Sequence, residues 1–126
     1  MKSLKTVALF FAAGAGVHLW ADANADALQK LAQLPSAPMI ITIDQAAGSP
    51  SVVLTDKGAL INKSTAPVPF DQILSKLAAL PASAWPYGRV LLYSSSGAAG
   101  YAAPPKPIAD KVESDLQQAN IRLLRQ

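Results

Sequence analysis

The chain has 126 residues, 51% of them hydrophobic and only 15% charged, with a formal net charge of +3 and no cysteine. That hydrophobic content excludes a disordered polypeptide, and the lack of cysteine excludes disulfide staples, thiolate nucleophiles and cysteine-ligated metals. The basic residues are scattered among acids, which disfavours nucleic-acid binding through a basic stripe.

Lys2 and Lys5 precede an uncharged apolar run from Thr6 to Trp20, and Ala21-Asp22-Ala23 follows it. This is the order of a secretory signal peptide, and it predicts a signal segment over 1–23, cleavage after Ala23 and a periplasmic or secreted product. The stretch between Lys5 and Asp22 is shorter than the ~20 apolar residues of a spanning helix, so the mature form is not expected to span a membrane. No lipobox cysteine is present. The only histidine, His18, falls inside the segment. Its removal leaves one small domain of about 100 residues with no imidazole base.

From Asn24 to Leu34, Ala25, Leu28, Leu31 and Ala32 recur at helical spacing and Pro35 and Pro38 close the segment, giving a short helical lead-in over 24–38. The single α+β domain is expected over 39–126. Met39 to Ile43 is a β-branched run and predicts a strand, with a Gly-Ser-Pro connection over Gln45 to Pro50. Ser51 to Thr55 and Ala59 to Asn62 flank Asp56-Lys57-Gly58, which predicts a hairpin with Gly58 at positive φ.

Phe70, Ile73, Leu74, Leu77 and Leu80 follow the i, i+3, i+4, i+7 rule, with Pro69 before the first turn and Pro81 after the last. Arg89 to Tyr93 predicts an apolar strand. Ile108, Val112, Leu116 and Ala119 form one stripe of a second helix with Asp110, Glu113 and Asp115 towards solvent, Asn120 as its C-terminal cap, and Ile121 to Leu124 as a last strand. The order β, β-hairpin, α, β, α, β predicts an α+β two-layer sandwich: a mixed sheet of about five short strands with two helices on one face.

The VVLTDKGALIN hairpin, the VPFDQILSKLAAL helix, the RVLLY strand and the final KVESDLQQANIRLL helix and strand resemble the periplasmic domain of the ExbD/TolR family of biopolymer-transport proteins. The MIITID run resembles the short strand which that family places before the hairpin. The resemblance implies a non-enzymatic envelope module. Family members usually carry a transmembrane helix with a proton-coupling aspartate, whereas Thr6 to Ala21 contains no acidic residue. They also tend to have an acidic residue after the central strand, where this chain has Ser94 to Ser96.

Ligands in α/β layers often bind beyond the carboxyl end of a strand, which makes Ser94, Ser95, Ser96, Gly97, Gly100 and Tyr101 the candidate ligand-binding residues. Their hydroxyls and backbone N–H groups suit an anion or a sugar, although the segment matches neither the Walker A nor the GxGxxG pattern. A serine hydrolase here would need Lys106 or Lys111 as its base, and both lie in polar or proline-rich sequence. Trp85 and Tyr87, on a proline-containing connection, are the candidate partner-binding aromatics.

Asp44 and Asp56 read as turn formers, and no acid spacing fits a calcium loop. No catalytic residue, metal or cofactor is therefore expected. The leading expectation is an exported binding domain whose partner is an envelope protein or peptidoglycan, with a homodimer among the forms expected. The alternative is a small-ligand-binding or hydrolytic domain working through the Ser94–Tyr101 loop.

Overall fold

The computed structural model describes residues 15–126, with side chains from Asn24 onwards. The signal segment expected over 1–23 lies outside the described residues as far as Gly14. The described chain is α+β: α1 (Ala15–Ala32), β1 (Ser51–Thr55), β2 (Gly58–Ile61), α2 (Ile73–Ala78), β3 (Val90–Ser94), α3 (Lys106–Gln118) and β4 (Arg122–Arg125). The four strands form one mixed sheet in the order β2-β1-β3-β4. β1 and β2 are antiparallel, while β1, β3 and β4 run parallel, so α2 and α3 serve as the crossover connections that parallel neighbours require.

The hairpin forms where its turn chemistry allows. The Thr55 hydroxyl donates to the Gly58 carbonyl at 2.9 Å and accepts from the Lys57 N–H at 3.1 Å, closing the turn from within. Gly58 has φ 137°, and a Cβ there would lie 2.5 Å from the Val68 carbonyl oxygen. Only glycine satisfies both constraints. Val68 approaches so closely because it pairs with Ala59 through two backbone bonds, of 2.8 and 2.7 Å, on the outer edge of β2.

Strand alternation divides the sheet into two faces. Val52 pairs with Tyr93 and Ile61, and Leu91 with Leu123, so these side chains share one face with Leu54 and Ala59. Ala27 and Leu31 of α1, Ile73, Leu74 and Leu77 of α2, and Ala109, Val112 and Leu116 of α3 join them in one buried cluster. All three helices therefore cover the same face, and the lead-in helix contributes to the core of the domain. Val53, Leu60, Leu92 and Leu124 lie on the other face.

α3 ends as its sequence predicts. Asn120 adopts φ 57°, the Ile121 N–H donates to the Leu116 carbonyl at 3.2 Å, and the Asn120 N–H donates to the Gln117 carbonyl at 2.9 Å. This paired closure is a Schellman motif with asparagine in the left-handed position.

The expected strand over Met39–Ile43 does not form, so the sheet has four strands. Thr42 and Gln45 instead make a reciprocal capping box: the Thr42 N–H donates to Gln45 Oε1 at 2.8 Å and the Gln45 N–H donates to Thr42 Oγ1 at 3.2 Å. The Ala46 N–H then reaches back to the Thr42 carbonyl at 2.9 Å, closing a turn in place of an extended strand. Residues 35–50 consequently form an irregular strap past the amino ends of β3 and β4, held by bonds from the Arg89 N–H to the Pro35 carbonyl and from the Leu92 N–H to the Pro50 carbonyl.

Candidate functional site

The Ser94–Tyr101 segment leaves the carboxyl end of β3 as a fastened turn. The Gly97 N–H donates to the Leu54 carbonyl at 3.1 Å, the Asp56 N–H donates to the Ala102 carbonyl at 2.9 Å, and Ala98 and Tyr101 bridge each other. The segment thus closes over the end of β1. The Ser96 N–H is taken by Ser94 Oγ at 3.3 Å, and the Tyr101 hydroxyl donates to the Thr65 carbonyl at 3.5 Å. Ser94, Ser95, Gly97 and Tyr101 are half-buried, whereas Ser96 and Gly100 are exposed. Four clefts lined by described residues take no residue from this segment.

Beside it lies a polar cluster that sequence reasoning placed only in part. Tyr93 is fully buried, and its hydroxyl donates to Glu113 Oε2 at 3.1 Å. Arg125 donates to Glu113 Oε1 at 2.7 Å and lies 5.4 Å from the centre of the Tyr93 ring. Burial, and then the Glu113 carboxylate, push the Tyr93 phenol above its ordinary value, with Arg125 and a hydrogen bond from Ser95 pulling it back. Glu113 is held below the usual carboxylate range, chiefly by the Arg125 hydrogen bond. Glu113 is therefore a structural acceptor rather than a solvating charge. It joins β3, β4 and α3 at the carboxyl end of the sheet.

The other acids and bases take the surface roles their positions suggest. Lys106 pairs with Asp110 and Lys111 with Asp115, each one helical turn apart on α3, and Lys106 is 84% exposed. Neither lysine is buried as a depressed-pKa base would need to be. No group of three or more His, Asp or Glu side chains among the described residues is arranged to hold a metal ion.

Trp85 corrects the sequence reading. It is 4% exposed and belongs to the buried cluster, directly after the short helical turn Ala82–Ala84 that follows Pro81. An indole in that position packs the core, with no more than an edge at the cleft beside Leu31 and Leu80. Tyr87, two residues on, remains 37% exposed.

Two features that the sequence reading did not single out lie at the opposite, amino end of β3 and β4. The strap carries Met39, Ile40 and Ile43 with their side chains exposed, Met39 at 86% and Ile40 at 83%. The Trp85–Gly88 turn abuts it: Gly88 has φ 77°, and a Cβ there would lie 2.6 Å from the Pro35 carbonyl and 2.7 Å from that of Ser36. Tyr87 is thereby carried next to the strap. Below the strap an open polar cleft of about 590 Å³ is lined by Ser36, Arg89, Gln117, Asn120 and Arg122 together with apolar Ala37 and Ile121.

No family model, curated protein or solved structure matches the chain. Fold and site together define a small α+β sandwich with a pinned strap. No helix among the described residues is long and apolar enough to cross a membrane.

Proposed function

We propose that the chain is an exported, non-enzymatic binding domain of the cell envelope, similar in kind to the ExbD/TolR periplasmic modules, whose partner is an envelope protein or the cell wall. The observation that carries this reading is the strap. Met39, Ile40, Ile43 and Tyr87 are the large apolar side chains left exposed among the described residues, and all four lie on the strap or on the turn against it.

Leaving such side chains in water forgoes about 1.5–3 kcal/mol for each that could be buried. Scattered singly they would need no explanation, but Met39, Ile40 and Ile43 fall within one short stretch of the strap, which makes it an interaction surface. The capping box of Thr42 and Gln45 and the bonds to Pro35 and Pro50 hold that surface in one shape, which lowers the entropy cost of docking.

The reading is tested by cosedimentation of the purified protein with isolated peptidoglycan and by crosslinking in intact cells. The wild type is expected to be captured by one of the two, and a Met39→Ser, Ile40→Ser double variant to lose that capture while keeping its fold. Recovery of nothing by either route refutes the proposal.

A further inference from the structure

Arg89 immediately precedes β3 and Arg122 opens β4, so both lie at the same end of the sheet: Val90 pairs with Arg122, and the Arg122 N–H donates to the Arg89 carbonyl at 2.8 Å. Both residues line the cleft below the strap, and no acidic residue does. Lys30, Lys106, Lys111 and Arg125 each meet a carboxylate, whereas among the described residues neither Arg89 nor Arg122 does, a trait they share with Lys57, Lys63 and Lys76 but combine with a place in one cleft.

Their donors are only partly used. Arg89 Nη2 donates to Ser36 Oγ at 3.1 Å and Arg122 Nη1 donates to the Met39 carbonyl at 2.6 Å, out of five N–H donors that each guanidinium carries. Arg89 Nε is buried and has no acceptor. Two arginines thus line one cleft with donors to spare and no carboxylate in the lining.

The negative pole of α3 opposes an anion here, and it is weak. A helix C-terminus carries about half an elementary charge, against two full charges here. The Schellman closure also engages the Leu116 and Gln117 carbonyls that would otherwise face an anion.

We infer that Arg89 and Arg122 form a binding site for a small oxyanion, a carboxylate or phosphate group, with the side-chain amides of Gln117 and Asn120 as neutral donors at its rim. A guanidinium presents paired donors that match both ligand types. The assignment stands on the cleft alone and does not require the strap to bind a partner.

The test follows the arginine Nε–Hε signals by NMR during titration with inorganic phosphate and, separately, with acetate, ionic strength being held constant with chloride. Saturable shifts of Arg89 and Arg122 with one shared dissociation constant, without a comparable shift of Arg125, are expected. Saturation by phosphate alone assigns a phosphate site, and saturation by acetate alone a carboxylate site. Arg89→Gln and Arg122→Gln should each weaken binding by about tenfold or more. Because both arginines also hold the strap, Arg122→Lys keeps the test valid if these variants do not fold: it retains the charge, loses the fork, and should weaken binding to a lesser degree. Shifts that rise linearly without saturating, or that Arg125 shares equally, overturn the assignment.

Discussion

Replacing Tyr93 with phenylalanine isolates one interaction in the buried cluster at the carboxyl end of the sheet. The side chain is fully buried and its hydroxyl donates to Glu113 at 3.1 Å, so the substitution deletes a single oxygen and leaves the ring packing in place. A hydrogen bond to a charged group is worth about 1.5–3 kcal/mol. The Glu113 side chain keeps 20% of its surface exposed and retains its bond to Arg125, so water can replace part of the loss. The Arg125 pair itself is surface-exposed on one side and worth about 1 kcal/mol or less. The expected destabilisation at pH 7 is therefore about 1–2 kcal/mol, at the low end of that range.

The effect should depend on pH with a defined sign. Arg125 and Tyr93 hold the Glu113 carboxyl below its ordinary value, so its stabilisation is present above the unfolded pKa of about 4.3 and is lost as pH falls through the folded value. The gap between wild type and Tyr93→Phe, measured by urea denaturation, should narrow below about pH 4 towards the 0.5–1.5 kcal/mol of a neutral hydrogen bond. A gap that is absent at pH 7, or that widens on acidification, refutes the reasoning.

Gly58→Ala should lower stability by well over 1 kcal/mol, since it combines a strained φ with a backbone clash; thermal melting checks this, and a neutral effect would contradict the tight hairpin. Thr42→Ala should cost about 1 kcal/mol through loss of the capping box, and hydrogen exchange should show faster exchange at Gln45 and Ala46 with the sheet amides unchanged. If the N-terminal segment is a cleaved signal, the intact mass of the protein recovered from its native compartment corresponds to a chain beginning at Asn24, and a retained Met1 would rule that out. In alkali, the raised Tyr93 phenol makes the unfolded chain lose its proton first, so stability should decline as pH rises above about 10, a decline that Tyr93→Phe should blunt.

The parts of the fold legible in the sequence are those set by local chemistry. The hairpin followed from Asp56-Lys57-Gly58, the helices from their apolar stripes, and the end of α3 from Asn120. The strap was misread because Met39 to Ile43 satisfies β propensity, while the competing signal, Thr42 followed by Gln45 three residues on, is a helix-start pattern. That local pair of bonds holds Thr42 to Ala46 in a turn, and β4 keeps its outer edge unpaired among the described residues.

The fate of Trp85 turns on whether its loop points inward, which no nearby residue announces. Glu113 looks like one more charge on a polar helix face until β3 carries Tyr93 beneath it. Arg89 and Arg122 are far apart in sequence, and only the parallel pairing of β3 with β4 makes them neighbours. Sites built by non-local register leave no trace in spacing.

The most direct measurement of the central claim is photocrosslinking from the strap in living cells. A photoreactive residue at Ile40 is compared with one at Lys76, which is exposed on α2. If the strap is a partner surface, position 40 gives a discrete adduct with an envelope component and position 76 does not. No adduct from position 40, or the same adducts from both, would contradict the account.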